Sequence, residues 1–203
     1  APMVASTLEL YSMLLRELLP TPAKSHYTFN LRDIASVMQG VLSADAKTTS
    51  HPTDLIRLWV HEAVRVFRDR LVDDDDRAWF DGQLVPLVPK HFTSVGKLFG
   101  NGRLQWEEVV HCEVGHLLYG DFMDTHTRAY VQVPDMGQMR SAVEWHLDVY
   151  NATATERMRL VLFEDALRHI ARIARVLRRP GGNALLCGVS GSGRRSLARL
   201  AAH

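Results

Sequence analysis

The chain has 203 residues, 46% of them hydrophobic and 23% charged, which is enough apolar material for one or two domains with cores of their own. It contains no run of about 18 apolar residues, so no membrane-spanning helix is expected, and Glu9, Arg16 and Glu17 make Ala1–Leu19 a poor secretory signal. The formal charge of +1 conceals an asymmetry, because ten arginines from Arg157 onward face only Glu164 and Asp165, a balance of +8 that leaves −7 for residues 1–156.

The two cysteines, Cys112 and Cys187, lie far apart in sequence, which fits a reduced intracellular protein. The front half has helical periodicity. Ser6 is expected to cap a first helix with Leu8, Tyr11, Leu15 and Leu18 on its inner face, stopped by Pro20 and Pro22. Asn30 and Asp33 form a capping pair for a second helix, with Leu31, Ile34, Val37, Met38 and Val41 inward. A third begins at Thr53 or Asp54 and carries Leu55, Leu58, Trp59, Glu62, Val66 and Phe67. Asp73 to Asp76 break the pattern, and a short helix from Arg77 to Val85 is predicted to end before Pro86 and Pro89.

Phe92 to Gly102 has the composition of a loop, and Leu117 to Phe122 that of a short extended piece. Asp135 is placed to cap a helix through Met139, Val143, Leu147 and Tyr150, closing near Asn151. The last helix is the clearest. Phe163, Leu167, Ile170, Ala174 and Leu177 recur at helical spacing, Arg168, Arg172, Arg175 and Arg179 form a basic stripe, and Pro180-Gly181-Gly182 terminate it. Ala184 to Cys187 is predicted as a buried strand, and Ser196 to Ala202 as the start of a helix. A boundary is expected between about residues 120 and 155.

Between that strand and helix lies Gly188-Val189-Ser190-Gly191-Ser192-Gly193-Arg194-Arg195-Ser196. A P-loop needs G-x-x-x-x-G-K-[ST] in this context, because glycines let backbone N–H groups converge on an anion and the helix N-terminus adds positive potential. Arg194 stands where lysine would reach the phosphates, and Arg195 where a hydroxyl would hold Mg²⁺; Ser196 comes one position late. The pattern predicts nucleotide binding with weak Mg²⁺ use and little hydrolysis. The competing reading is a structural glycine turn without a ligand.

Other clusters have plainer explanations. Arg172, Arg175 and Arg179 lack interleaved aromatics, so a solvated helix face is expected and nucleic-acid binding is not. His111, Cys112, Glu113 and His116 have the wrong spacing for one helical face and no distant third ligand, so no metal is expected. Asp73–Asp76 lack a calcium-loop pattern, and Glu62 in an apolar helix is expected to be structural. Arg32, in the first turn of a short helix, would on its own be a surface arginine.

Several stretches taken together resemble dynein heavy chains, the AAA+ motors that walk on microtubules. They are Leu18 through Asp33, Leu58-Trp59 with His61-Glu62, Asp69-Arg70-Leu71, Tyr119-Gly120-Asp121-Phe122, Leu160-Val161-Leu162-Phe163, and Gly182 through Ala202. The Gly-Ser-Gly-Arg loop followed by x-Ser-Leu is closer to axonemal than to cytoplasmic members. The resemblance covers almost the whole chain in order.

It implies a mainly α chain with a small α/β part: residues 1–120 as the helical lid of the third AAA+ module, 121–154 as a linker and connecting helix, and 155–203 as the start of the fourth module with its P-loop. It further implies that Gly188, Val189, Ser190, Gly191, Ser192, Gly193, Arg194, Arg195 and Ser196 cradle the phosphates of ATP or ADP. Leu160, Val161 and Leu162 would border the adenine, and Arg32 would act as a sensor-like arginine for the third module. No catalytic residue or metal ligand is assigned, since the acidic Mg²⁺ and water site and the arginine finger have no counterpart here; the chain is expected to be a fragment with no motor activity alone. The implied partners are the remaining AAA+ modules, microtubules, and dynein intermediate and light chains in the cytoplasm, cytoskeleton and ciliary axoneme, with neither nucleic acid nor membrane. The alternative is a non-catalytic scaffold between modules with a vestigial P-loop.

Overall fold

The computed structural model describes residues 2–45, 47–93 and 105–203, the side chain of Glu108 excepted. Residues 94–102 of the expected Phe92–Gly102 loop lie outside the described residues. The fold is mostly helical and divides into two compact units, Ala1–Leu117 and Leu118–His203.

The first unit begins with α1 (Pro2–Glu17). Ser6 does not cap it, because the helix starts four residues earlier and the Ser6 and Thr7 hydroxyls donate back to the Met3 carbonyl at 3.0 and 2.7 Å. The buried stripe is Ser6, Thr7, Leu10 and Leu14, while Leu8 and Leu15 remain 46% and 44% exposed. Helix α1 is apolar on two sides, so periodicity alone does not choose between them. Tertiary contact does: the buried Trp59 indole N–H donates to Thr7 Oγ1 at 2.8 Å, which satisfies the polar atoms on the inner face.

Asn30 and Asp33 open α2 (Leu31–Leu42) with the expected capping box. The Arg32 N–H donates to Asn30 Oδ1 and the Asn30 N–H to Asp33 Oδ2, both at 2.8 Å. Asp33 also pairs with Arg70 at 2.7 Å, and the Arg70 guanidinium donates to the Thr28 carbonyl and lies over the Phe29 ring. Leu31, placed inward by its spacing, is exposed, since it sits in the first turn beyond the reach of the core.

Helix α3 (Pro52–Val66) starts one or two residues before the expected position, with His51 at its N-cap. It is the centre of this unit, buried on nearly all sides through Ile56, Leu58, Trp59, Val60, Ala63 and Val64. Its crossing with α2 is close: a Cβ built on Gly40 would lie 1.8 Å from Glu62 Oε2 and 2.6 Å from its Cγ. Glu62 is fully buried at this crossing, as a structural side chain would be.

Helix α4 (Asp74–His91) runs straight through Pro86 and Pro89, where the sequence rule placed a stop. The two missing backbone donors and the ring contacts work against the helix. Burial of Leu84, Leu87 and Val88 on one side offsets them, at roughly 1.5–3 kcal/mol for a fully buried side chain. The aspartates sit at its N-terminus, where the helix dipole favours anions. Lys24 reaches Asp73 at 2.5 Å and Asp76 at 2.6 Å, and Tyr27 Oη donates to Asp76 at 2.7 Å, which ties the preceding loop to α4. At the other end Glu9 of α1 receives Lys90 at 2.5 Å and His91 at 2.7 Å. A short helix α5 (Trp106–Val109) follows, its Val109 carbonyl accepting the Arg57 Nε–H.

In the second unit β1 (Tyr119–Gly120) pairs antiparallel with β2 (Val131–Gln132), Tyr119 opposite Gln132. Asp135 caps α6 (Met136–Thr153), its carboxylate accepting from the Gln138 N–H at 2.8 Å. Helices α7 (Glu164–Arg178) and α8 (Arg194–Ala202) follow. Met139, Val143, Leu147, Leu162, Leu167, Ile170 and Leu200 share one core, so residues 121–154 supply part of the packing of residues 155–203. Ala184–Cys187 is not a strand here, and Leu185 is 89% exposed. A strand exists only by pairing, and among the described residues the sheet consists of β1 and β2 alone.

Two outcomes test this packing. Gly40→Ala drives a methyl into the buried Glu62 side chain and is expected to lower stability by about 1–3 kcal/mol, the usual range for overpacking; an unchanged melting temperature would contradict the tight crossing. The Lys90 and His91 hydrogen bonds hold the Glu9 carboxyl below its ordinary 4.5. A carboxylate depressed in the folded state stabilises above its unfolded pKa and loses that contribution as the pH falls through the folded value. Wild type should therefore melt above Glu9→Gln at pH 7, with the gap closing below pH 4.5; a gap that does not change with pH would refute the clamp.

Candidate phosphate-binding loop

Helix α7 ends at Arg178, and the chain reverses through Gly181, whose φ of +69° suits glycine. The Gly182 N–H closes the turn on the Arg179 carbonyl at 2.9 Å. Residues 183–189 then run without regular structure to the glycine loop.

Within the loop Gly191 and Gly193 have φ of +79° and +76°, the left-handed region in which an L side chain is strained. Gly193 is also the N-cap of α8, so the helix begins at Arg194, two residues earlier than expected. Glycine has no side chain to cap with, and the first intrahelical bond runs from the Leu197 N–H to the Gly193 carbonyl at 2.9 Å. The amides of Arg194, Arg195 and Ser196 thus lie in the first turn, where helix N–H groups lack intrahelical acceptors and favour an anion.

Arg194 folds back across the loop. Its Nη2 donates to the Val189 carbonyl at 3.1 Å and its Nη1 to the Leu186 carbonyl at 3.4 Å, with its Cδ 3.5 Å from where a Cβ on Gly188 would stand. Val189 also accepts the Ser192 N–H at 3.4 Å. Ser190 and Arg195 are exposed, and Ser196 is half-buried. The residues fit a phosphate group: left-handed glycines, a helix N-terminus and an adjacent guanidinium. They do not fit Mg²⁺ in the same way, because Arg195 brings a cation where a hydroxyl ligand is needed.

Leu160 to Leu162 belong to the same unit. Asn151 fixes the approach to them, its side chain bonding the Met158 N–H at 2.7 Å and the Met158 carbonyl at 3.0 Å. Leu162 lies in the core that holds Leu200, Leu160 packs against that core, and Val161 between them is 84% exposed. Arg32 lies in the first unit, exposed in the first turn of α2.

A cavity of about 300 Å³ in the second unit has other walls, among them Asp121, Phe122, Arg128, His146, Leu177 and Arg178, and includes neither Leu160–Leu162 nor residues 188–196. Arg178 is held there by Asp121 at 3.7 Å and lies 4.9 Å from the Tyr130 ring centre. Sequence reasoning did not find this cavity, because its residues come from four separate segments and share no motif.

Comparison with known proteins divides the chain in the same order. A family model for the AAA+ lid domain matches residues 3–99, and one for the P-loop containing dynein motor region D4 matches residues 158–203. The chain is 45% identical to dynein axonemal heavy chain 1 of Rattus norvegicus over 100% of its length. It is 43% identical to dynein axonemal heavy chain 12 of Homo sapiens and 39% identical to the ciliary dynein beta chain of Tripneustes gratilla, each over 98% of its length. It spans 4%, 7% and 4% of these relatives, respectively. With an AAA+ lid followed by the beginning of a P-loop region, and this similarity from end to end, the chain belongs to the axonemal dynein heavy-chain family.

Proposed function

We propose that residues Gly188 to Ser196 bind the phosphates of ATP or ADP, and that this segment works as a nucleotide grip within a motor ring. The observation that carries the proposal is the conjunction of left-handed Gly191 and Gly193 with the N-terminus of α8 and the Arg194 guanidinium. Leu160, Val161 and Leu162, of which Leu160 and Leu162 rest on the core and Val161 is exposed, are suited to border an adenine. A bound nucleotide would bring its own phosphate chain; this chain's own residues orient phosphate and neutralise its charge. With Arg195 in the hydroxyl position, Mg²⁺ binding is weak and turnover low.

In this proposal residues 1–120 are the lid of the third AAA+ module, 121–154 a linker and connecting helix, and 155–203 the start of the fourth module. Arg32 then serves nucleotide bound to the third module and not the 188–196 loop. The relatives' names speak of axonemes and cilia, which supports placement in the ciliary cytoskeleton. Microtubules, intermediate and light chains, and the other ring modules are the partners such a heavy chain would meet.

One titration tests the set. Labelled ADP and ATP should bind the wild-type chain, Gly193→Val and Arg194→Ala should weaken binding roughly tenfold or more, as loss of a charge-assisted contact does, and Arg32→Ala should leave it unchanged. Affinity indifferent to Gly193 and Arg194 would sink the loop assignment, and rapid turnover would contradict a grip without catalysis. Absence of binding in the wild type would leave a scaffold with a vestigial loop as the better description.

A further inference from the structure

We propose that Arg194 is a two-point latch that holds the glycine loop closed on itself until an anion displaces it. The inference rests on the assignment of residues 188–196 as a phosphate site and adds how that site is regulated. The two Nη atoms donate to different carbonyls, Leu186 before the loop and Val189 inside it, so one planar fork spans the start of the turn. Val189 accepts the Ser192 N–H through the same oxygen, so Arg194 reinforces the turn that Ser192 closes. The stem of the side chain passes over Gly188, ordinary van der Waals distance from where a Cβ would stand.

The chemistry makes this contact exchangeable. No Asp or Glu occurs between residues 166 and 203, so the segment offers Arg194 only neutral carbonyl acceptors. The carbonyls are neutral acceptors, whereas a phosphate is itself ionised and can take both arms of the guanidinium fork at once, which makes it the stronger partner. An arriving phosphate therefore takes the guanidinium from the two carbonyls, and the turn loosens as the anion is gripped. Arg194 is only half-buried, so its head is free to make that exchange. A lysine at 194 keeps the charge but donates from a single nitrogen, and it holds the closed state less well.

Hydrogen–deuterium exchange on the full 203-residue chain without nucleotide reads the latch directly. The peptide containing Ser192 is expected to exchange about three- to tenfold faster in Arg194→Gln than in wild type, the effect of losing an exposed hydrogen bond or two, with Arg194→Lys between them. Peptides from α7 serve as the control and should not change; if Arg194→Gln disturbs them, Arg194→Lys alone decides, and it must still exchange faster than wild type. Equal exchange at Ser192 in wild type and Arg194→Lys with α7 intact overturns the latch, even if ADP binds. Faster exchange at Ser192 in the Arg194 variants, with a wild type that binds no ADP, would keep the latch and remove the nucleotide assignment, so the two failures are separable.

Discussion

Leu200 is the contact on which the glycine loop depends. It is buried in the core formed by Met139, Val143, Leu167 and Ile170, with Leu197 and Ala201 packed beside it. Full burial of a leucine stabilises by roughly 1.5–3 kcal/mol, enough to dock a nine-residue helix that would be marginal alone. Docking α8 fixes the downstream end of the loop and orients the first-turn amides. The upstream end has no comparable anchor, since residues 183–189 are irregular and largely exposed. One end is held by packing and the other by hydrogen bonds.

This asymmetry explains the local conformation. The chain must turn sharply into a helix whose position is already set, and left-handed Gly191 and Gly193 make the turn without Cβ strain. Arg194, the first residue of that fixed helix, is then close enough to reach back to Leu186 and Val189. The basic balance of the last segment has the same consequence on a larger scale, because it raises the local potential for anions without supplying a carboxylate to quench Arg194.

Elements governed by local rules were legible in the sequence. The Asn30–Asp33 capping box, the Asp135 cap, the Leu167–Ile170 centre of α7 (though not Phe163 or Leu177, which are exposed) and its Pro-Gly-Gly end all depend on residues within a few positions of each other. Elements decided by distant contacts were not. The inner face of α1 was set by Trp59 bonding Thr7, α4 outlasted two prolines because its flank is buried, and Ala184–Cys187 has no strand partner among the described residues. The candidate site divides in the same way. Its glycines and the helix that follows are a contiguous motif, whereas the fold-back of Arg194 depends on where two carbonyls lie, and the cavity beside Arg178 gathers residues no spacing connects.

The most direct test of the phosphate cradle is residue-resolved: backbone amide shifts of the chain followed by NMR during titration with ADP. If the loop and the α8 N-terminus hold the phosphates, the largest shifts fall on Gly191 to Ser196, with smaller ones at Leu160 to Leu162. Shifts confined to the cavity lined by Phe122, His146 and Arg178, or no shifts at millimolar ADP, would contradict it.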